Sequence, residues 1–259
     1  MGARLELKGS KVAALSDAIP ILLLVVGMWL VSLWKRDAGL MDIAWGPGFV
    51  LVALWRSVAM KGDLGLRGVL LFVLLLLWAG RLAWHIARRH GGVEDARYAA
   101  WRAQAGASWW WRSLFKVFLL QGAVMWAVAR PVTALLSFPT VGFSVWESGA
   151  LLALAGLLWE SVADAQLAAH RRRQPGVLCT TGLWSLHRHP NYFGEAIFWW
   201  GLGLWAAAVG APLALLSSLL MHLLLRHVSG VPMLERSMSR KPGWEAYAAR
   251  TPVFWPRLR

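Results

Sequence analysis

The stretch AIPILLLVVGMWLVSLW, Ala18–Trp34, carries no charge and stops at Lys35-Arg36. A helix rises 1.5 Å per residue, so about 20 mostly apolar residues cover the roughly 30 Å hydrocarbon core of a bilayer. No small-residue cleavage site precedes the basic end, which reads as a retained first span rather than a signal peptide. Six further blocks follow the same pattern: Asp42–Ala59, Val69–Ile86, Leu114–Ala129, Val145–Ala163, Phe193–Val209 and Leu213–Val228. Gly46-Pro47-Gly48 interrupts the first turns of the second block, and the fourth is short. Together they predict an all-α polytopic membrane protein of about seven transmembrane helices, forming one domain over residues 1–259. Neither an internal repeat nor a low-complexity tract is present.

Composition points the same way. Of the 259 residues 58% are hydrophobic and only 15% charged, against about a quarter charged in soluble domains. A single cysteine, Cys179, excludes an internal disulfide scaffold. The formal charge is +14. Charge alone would admit a nucleic-acid reader, but cations confined to the loops between apolar blocks have a simpler source in membrane topology. Neither a nucleic-acid partner nor an obligate protein partner is therefore expected.

With seven spans the loops alternate sides. One side collects Lys35, Arg36, Arg88, Arg89, Arg97, Arg102, Arg112, Lys116, Arg171, Arg172, Arg173 and Arg188. It also takes Arg226, Arg236, Arg240, Lys241, Arg250, Arg257 and Arg259. The other side holds Arg4, Lys8, Lys11, Arg56, Lys61 and Arg67, with Arg130 at a span end. Lys/Arg-rich loops face the cytoplasm, so the C-terminus is expected inside and the N-terminus outside. Tryptophans at 109–111, 199–200, 244 and 255 suit headgroup-level anchors.

Four clusters hold polar groups that spanning does not require. Asp42 stands at the mouth of the second span; a carboxylate there is either a helix N-cap or a functional group. Arg81, His85, Arg88 and Arg89 recur every three or four residues, followed by Asp95, Arg97 and Tyr98. Such a face reads either as arginines snorkelling to the headgroups or as a phosphate clamp, because guanidinium forks match phosphate oxygens. Glu160 and Asp164 share one helix face, where like charges repel, and they precede Gln166 and Arg171-Arg172-Arg173. That order suits a ligand with hydroxyls at one end and phosphates at the other. Finally His187-Arg188-His189-Pro190-Asn191-Tyr192 opens a span that carries Glu195, with proline at the favoured first helical position. A zinc site from His187, His189 and Glu195 is the weaker reading, since no metal-ligand spacing recurs. All four clusters fall on the cytosolic side, which predicts one shared pocket.

The run Arg188-His189-Pro190-Asn191-Tyr192-x-Gly194-Glu195 resembles the C-terminal signature of the steroid 5-alpha-reductase family and its bacterial relatives. Asp42-x-x-Trp45-Gly46, Arg81 with Glu94-Asp95-x-Arg97-Tyr98, Ala163-Asp164-x-Gln166 and the tail from Gly230 to Pro256 extend the likeness. The resemblance implies a membrane oxidoreductase that passes hydride from NADPH to a conjugated enone, with a 3-oxo-4-ene steroid as the leading substrate. It implies that Asn191, Tyr192 and Glu195 meet the nicotinamide end. Asp164 and Gln166 would serve the adenosine part, and Arg81, Arg97, Arg172 and Arg173 the phosphates. Arg88, Asp95, Tyr98, Glu160, Arg171 and His189 complete the expected cofactor set. Steroid-reducing relatives polarise the carbonyl with a glutamate in the second span and a tyrosine in the third, where this chain has Asp42 and Trp78. The lipophilic substrate would enter from the membrane lipids. The expected location is the bacterial inner membrane, or an endoplasmic-reticulum-type membrane, with the site facing the cytosol.

Two other classes share some of these features. A membrane methyltransferase of the isoprenylcysteine or phospholipid type carries a similar Arg-His-Pro turn and uses S-adenosylmethionine, but usually has two adjacent glutamates after its last span. Here Glu235 stands alone. A lipid-binding scaffold would account for the cations but not for the acids beside them.

Overall fold

Apolar runs bounded by glycine and basic residues become helices, and the computed structural model, which describes residues 15–60, 64–138 and 148–257, contains no strand among them. The expected cations Arg4, Lys8, Lys11, Lys61 and Arg259 and the first three residues of the fifth block, Val145–Glu147, lie outside the described residues. Four helical runs are long and apolar enough to cross a membrane: Ala18–Lys35, Gly65–His90, Ser148–Arg173 and Pro212–Met238. The bent pair Ala96–Val128 and Arg130–Ser137, which turns through 43°, makes five if it is one span. Large apolar side chains such as Leu23, Leu76, Leu77, Leu151 and Leu216 are exposed along these runs. Apolar faces this extensive have no place against water and suit lipid.

The chain forms two compact units, Met1–Val141 and Gly142–Arg259. Unit 1 contains α1 (Ala18–Lys35), α2 (Leu40–Met60), α3 (Gly65–His90) and the short α4 (Ala96–Ala105). It continues through α5 (Trp109–Ser113), a π-helical stretch Leu114–Leu119, α6 (Leu120–Val128) and α7 (Arg130–Ser137). The short fourth block is thus the far part of a longer helical path that starts at Ala96.

Gly46-Pro47-Gly48 does not break α2, which runs unbroken from Leu40 to Met60 with Pro47 inside it. Both glycines serve packing. A Cβ on Gly46 would come within 3.0 Å of the backbone of Ala79 on α3, and one on Gly48 within 2.5 Å of Met125 on α6. At the end opposite Asp42 in α2, Arg56 donates to the fully buried Asp17 at 2.6 Å, with Arg130 at 3.5 Å. A buried carboxylate shared by two guanidiniums ties three helices together.

Unit 2 is built on α8 (Ser148–Arg173) and α9 (Pro190–Ala208). These are followed by α10 (Leu215–Leu223), a π-helical stretch Leu224–Val228, α11 (Val231–Met238) and α12 (Trp244–Arg250). Glycines seven residues apart on each of the first two helices set their approach. A Cβ on Gly156 would meet Phe198 N and, at 2.6 Å, Gly194 O; one on Gly201 would come within 2.7 Å of Ala153 Cα. Gly149 and Gly194 are hemmed in just as closely, by Trp205 and by Glu160. Small residues at such spacing let helix backbones touch, the usual device where apolar solvent gives no hydrophobic drive.

Candidate functional site

In unit 1 the polar residues gather where α2 begins, α3 ends and α4 starts. Asp95 caps α4 by accepting from Arg97 N at 2.9 Å, and the Arg97 side chain folds back onto the same carboxylate at 2.8 Å. That contact holds the Asp95 carboxyl below the usual carboxylate range. Capping orients α4 so that Tyr98 points its hydroxyl at Asp42 Oδ1, 2.8 Å away. Gln121 of α6 donates to both, at 3.1 Å to Asp42 and 3.2 Å to Tyr98, and Arg97 stands 3.5 Å from the second Asp42 oxygen. Asp42 therefore works as a half-buried acid in a side-chain network rather than solely as a helix cap.

A pocket of about 100 Å³ opens beside it, lined by Gly39, Asp42, Ile86, Arg89, His90, Val93 and Asp95. Its wall is braced by two further contacts. His90 lies 2.9 Å from Asp37, and Glu94 holds Arg102 at 2.8 Å while accepting from Ala38 N at 2.8 Å.

Of the residues expected from sequence in this unit, Asp42, Asp95, Arg97 and Tyr98 are brought together. Arg81 is partly buried on α3, and Arg88 is exposed with its guanidinium over the Trp84 ring at 5.5 Å. Trp78 is fully buried and packs edge-on against Phe49, with centroids 5.6 Å apart. The hydroxyl partner of Asp42 is Tyr98, from the helix after the third span.

In unit 2 the seam between α8 and α9 carries the acids. Glu160, Asp164 and Glu195 are all buried, and Asn191 Nδ2 donates to Asp164 at 3.4 Å. The Asn191 side-chain oxygen is buried without a hydrogen-bond partner. Gln166 braces the loop that follows α8. Its oxygen accepts from Leu183 N at 2.9 Å and packs beside Gly182, whose φ of +63° favours glycine. Arg171, Arg172 and Arg173 are exposed on the last turn of α8, where cations suit the negative end of the helix dipole.

The signature loop before α9 is held from behind by the C-terminal segment. Arg188 grips Glu235 with both prongs, at 3.0 and 2.9 Å, and gives its remaining nitrogen to Ala248 O and Thr251 O. His189, fully buried, lies 2.6 Å from the same Glu235 carboxylate and stacks on Tyr192 at 6.0 Å. His187 Nδ1 donates to Phe254 O at 2.6 Å, and Tyr247 donates to Trp184 O at 2.6 Å. Burial pushes His187 down to about 4 and the Tyr247 phenol well above its ordinary value. Arg188 and His189 thus fasten the loop, leaving Asn191 and the seam acids as the polar groups at the start of α9.

Sequence reasoning overlooked Gln121, the Asp37–His90 pair and the bracing role of Glu235. Gln121 had a signal: it is the one amide in the apolar run Leu114–Ala129. The role of Glu235 had none, because its partners lie some 46 residues away in the chain. Among the described residues no three His, Cys, Asp or Glu side chains are grouped to hold a metal ion.

Comparison with known proteins places the chain in a family. Residues 28–251 match the family described as "Protein of unknown function (DUF1295)". An uncharacterized protein of Schizosaccharomyces pombe is 25% identical over 268 aligned positions, covering 89% of this chain and 76% of that one. No solved structure matches. With the family match covering both units' polar clusters, the chain belongs to the DUF1295 family.

Proposed function

We propose that this protein is an NADPH-dependent membrane reductase that saturates the carbon–carbon double bond of a conjugated enone lipid, with a 3-oxo-4-ene steroid the first substrate to try. The observation that carries the reading is the Asp42–Tyr98 pair, an acid and a phenol 2.8 Å apart beside a polar pocket. Membership of DUF1295, a family associated with steroid 5-alpha-reductase-like proteins, supports it. So does the fit of unit 2 to a dinucleotide. The buried, unpartnered Asn191 oxygen suits the amide N–H of a nicotinamide, and Arg171–Arg173 are exposed cations of the kind phosphates select.

In this reading Asn191, Tyr192 and Glu195 hold the nicotinamide end, Asp164 and Glu160 take ribose or adenine donors, and the arginines take the phosphates. NADPH, when bound, supplies hydride to the β carbon. The chain's own contribution is electrostatic. As charge develops on the carbonyl oxygen, the Tyr98 hydroxyl, positioned by Asp42 and Gln121 with Arg97 alongside, would offer it a hydrogen bond. A proton then reaches the α carbon, so two hydrogens are added in all.

The topology belongs to the same proposal. α2, 21 residues long, and α9, 19 residues long, would bring the spans to seven, with the N-terminus outside and the C-terminus cytosolic. Their polar residues, Asp42 and Arg56 in one and Asn191 and Glu195 in the other, account for their lower apolarity.

The methyltransferase reading draws on one observation: Glu160, Asp164 and Glu195 are buried acids, which suit a sulfonium cation. Calorimetry on detergent-purified protein separates the two. The reductase reading expects NADPH to bind at least about tenfold more tightly than S-adenosylmethionine; the reverse order rejects it. In enone-dependent NADPH oxidation, Tyr98→Phe and Asp42→Asn are each expected to lower kcat by about 10²-fold or more. Unchanged turnover in both would remove them from the chemistry.

A further inference from the structure

At the end of unit 1 where α1 and α3 stop, the acids are already spent. Asp37 is held by His90, Asp42 by Tyr98 and Arg97, Asp95 by Arg97, and Glu94 by Arg102. Four cations at the same end, Lys35, Arg88, Arg112 and Lys116, are exposed and have no carboxylate partner among the described residues. Each instead lies over an indole ring: Lys35 over Trp34 at 4.2 Å, Arg88 over Trp84 at 5.5 Å, Arg112 over Trp111 at 5.5 Å and Lys116 over Trp101 at 4.0 Å.

These pairs belong to one surface. The turn after α1 is bonded to the turn after α3 through Ala38 N and Glu94, Glu94 holds Arg102 of α4, and Trp29 of α1 donates to Trp110 O of α5 at 2.8 Å. Three of the indoles face outward, Trp34 at 76%, Trp84 at 66% and Trp111 at 43% exposure. An indole stays at headgroup depth because its body is apolar and its N–H polar. A cation fixed over its face is held at that depth, short of a negative counter-charge.

We propose that this end of unit 1 is a docking surface for anionic phospholipid headgroups, with Lys35, Arg88, Arg112 and Lys116 as the phosphate-binding cations and their tryptophans setting the depth. Charge complementarity identifies the occupant: a zwitterionic headgroup carries its own cation and gains little from four more. A juxtamembrane cation is worth roughly fivefold in affinity for an anionic surface, so four acting together make a marked preference.

The test is native mass spectrometry of the full-length, detergent-purified protein titrated in parallel with phosphatidylglycerol and phosphatidylcholine. Wild type is expected to retain the anionic lipid at least about tenfold better. The combined Lys35→Gln, Arg88→Gln, Arg112→Gln and Lys116→Gln variant changes only exposed side chains and should fall to within about twofold. A variant with Arg171, Arg172 and Arg173 each changed to Gln, in unit 2, should keep the preference. Equal retention of both lipids by wild type, a preference that survives the fourfold change, or one abolished by the unit 2 change instead would each overturn the proposal.

Discussion

Unit 1 holds its buried and half-buried acids by reaching across elements: Asp17 to Arg56 and Arg130, Asp42 to Tyr98 and Gln121, Glu94 to Arg102. Unit 2 uses that device at Glu235 and at Asp164, which accepts from Asn191, and it also brings the backbones of α8 and α9 together at glycines. The difference is one of tolerance. A side-chain bridge can lengthen or rotate when a neighbour changes, whereas a glycine against backbone leaves nothing that can give. Glu160 lies in that seam because Gly194 admits its backbone. Close backbone contact thus sets the α8–α9 seam of unit 2, while side-chain bridges tie the elements of unit 1 together.

The largest effect is expected at the seam. Gly156→Ala puts a methyl against Phe198 N and Gly194 O, and should cost more than about 3 kcal/mol, enough to lose most folded protein in a detergent melting assay. Gly80→Ala in α3 of unit 1 meets nothing within 4 Å and should be neutral or stabilising by less than about 1 kcal/mol. Similar losses in both variants would break the contrast between the units.

Next comes Glu235→Ala. It leaves the Arg188 guanidinium and the buried His189 without their carboxylate, which should cost about 3 kcal/mol and release the C-terminal segment to limited proteolysis. Glu235→Gln, which still accepts one hydrogen bond, should recover part of the loss. Equal behaviour of the two variants would show that packing rather than charge holds the loop.

The loop before α9 in unit 2 also adds a dependence on pH. Burial lowers His187 to about 4 from its ordinary 6.5, so the unfolded chain takes up its proton first as pH falls. The contribution is complete above pH 6.5 and is lost as pH falls through the folded value, up to about 3 kcal/mol in all. His187→Gln keeps a donor for Phe254 O and should flatten the melting temperature between pH 6.5 and 4. A slope unchanged by the substitution would assign the acid sensitivity elsewhere.

Much of the helical framework could be read from the chain, because a bilayer-length apolar run with basic ends has few ways to bury its backbone other than a helix. Four of the seven expected blocks match single helices to within about four residues, while the helical runs of the fifth and seventh continue ten residues past their expected ends, to Arg173 and Met238. The fourth matches no single helix, since Ala96–Leu114 is mixed in polarity and its helices follow from capping by Asp95 and packing on α1. Gly46-Pro47-Gly48 misled for a related reason. Local propensity counts glycine and proline as helix breakers, while contact with α3 and α6 rewards the missing side chains.

Residue type and spacing alone singled out Asp42, Asp164, Asn191 and Glu195, because an apolar span makes any polar group conspicuous. Only the tertiary structure decided which groups they meet: Tyr98 and Gln121 meet Asp42, Asn191 meets Asp164, and Glu235 meets the neighbouring Arg188-His189 pair. Hydrogen bonds act over about 3 Å, whereas these partners lie 27 to 79 residues apart along the chain. No pattern of neighbours in the sequence carries that distance; folding alone makes such groups adjacent.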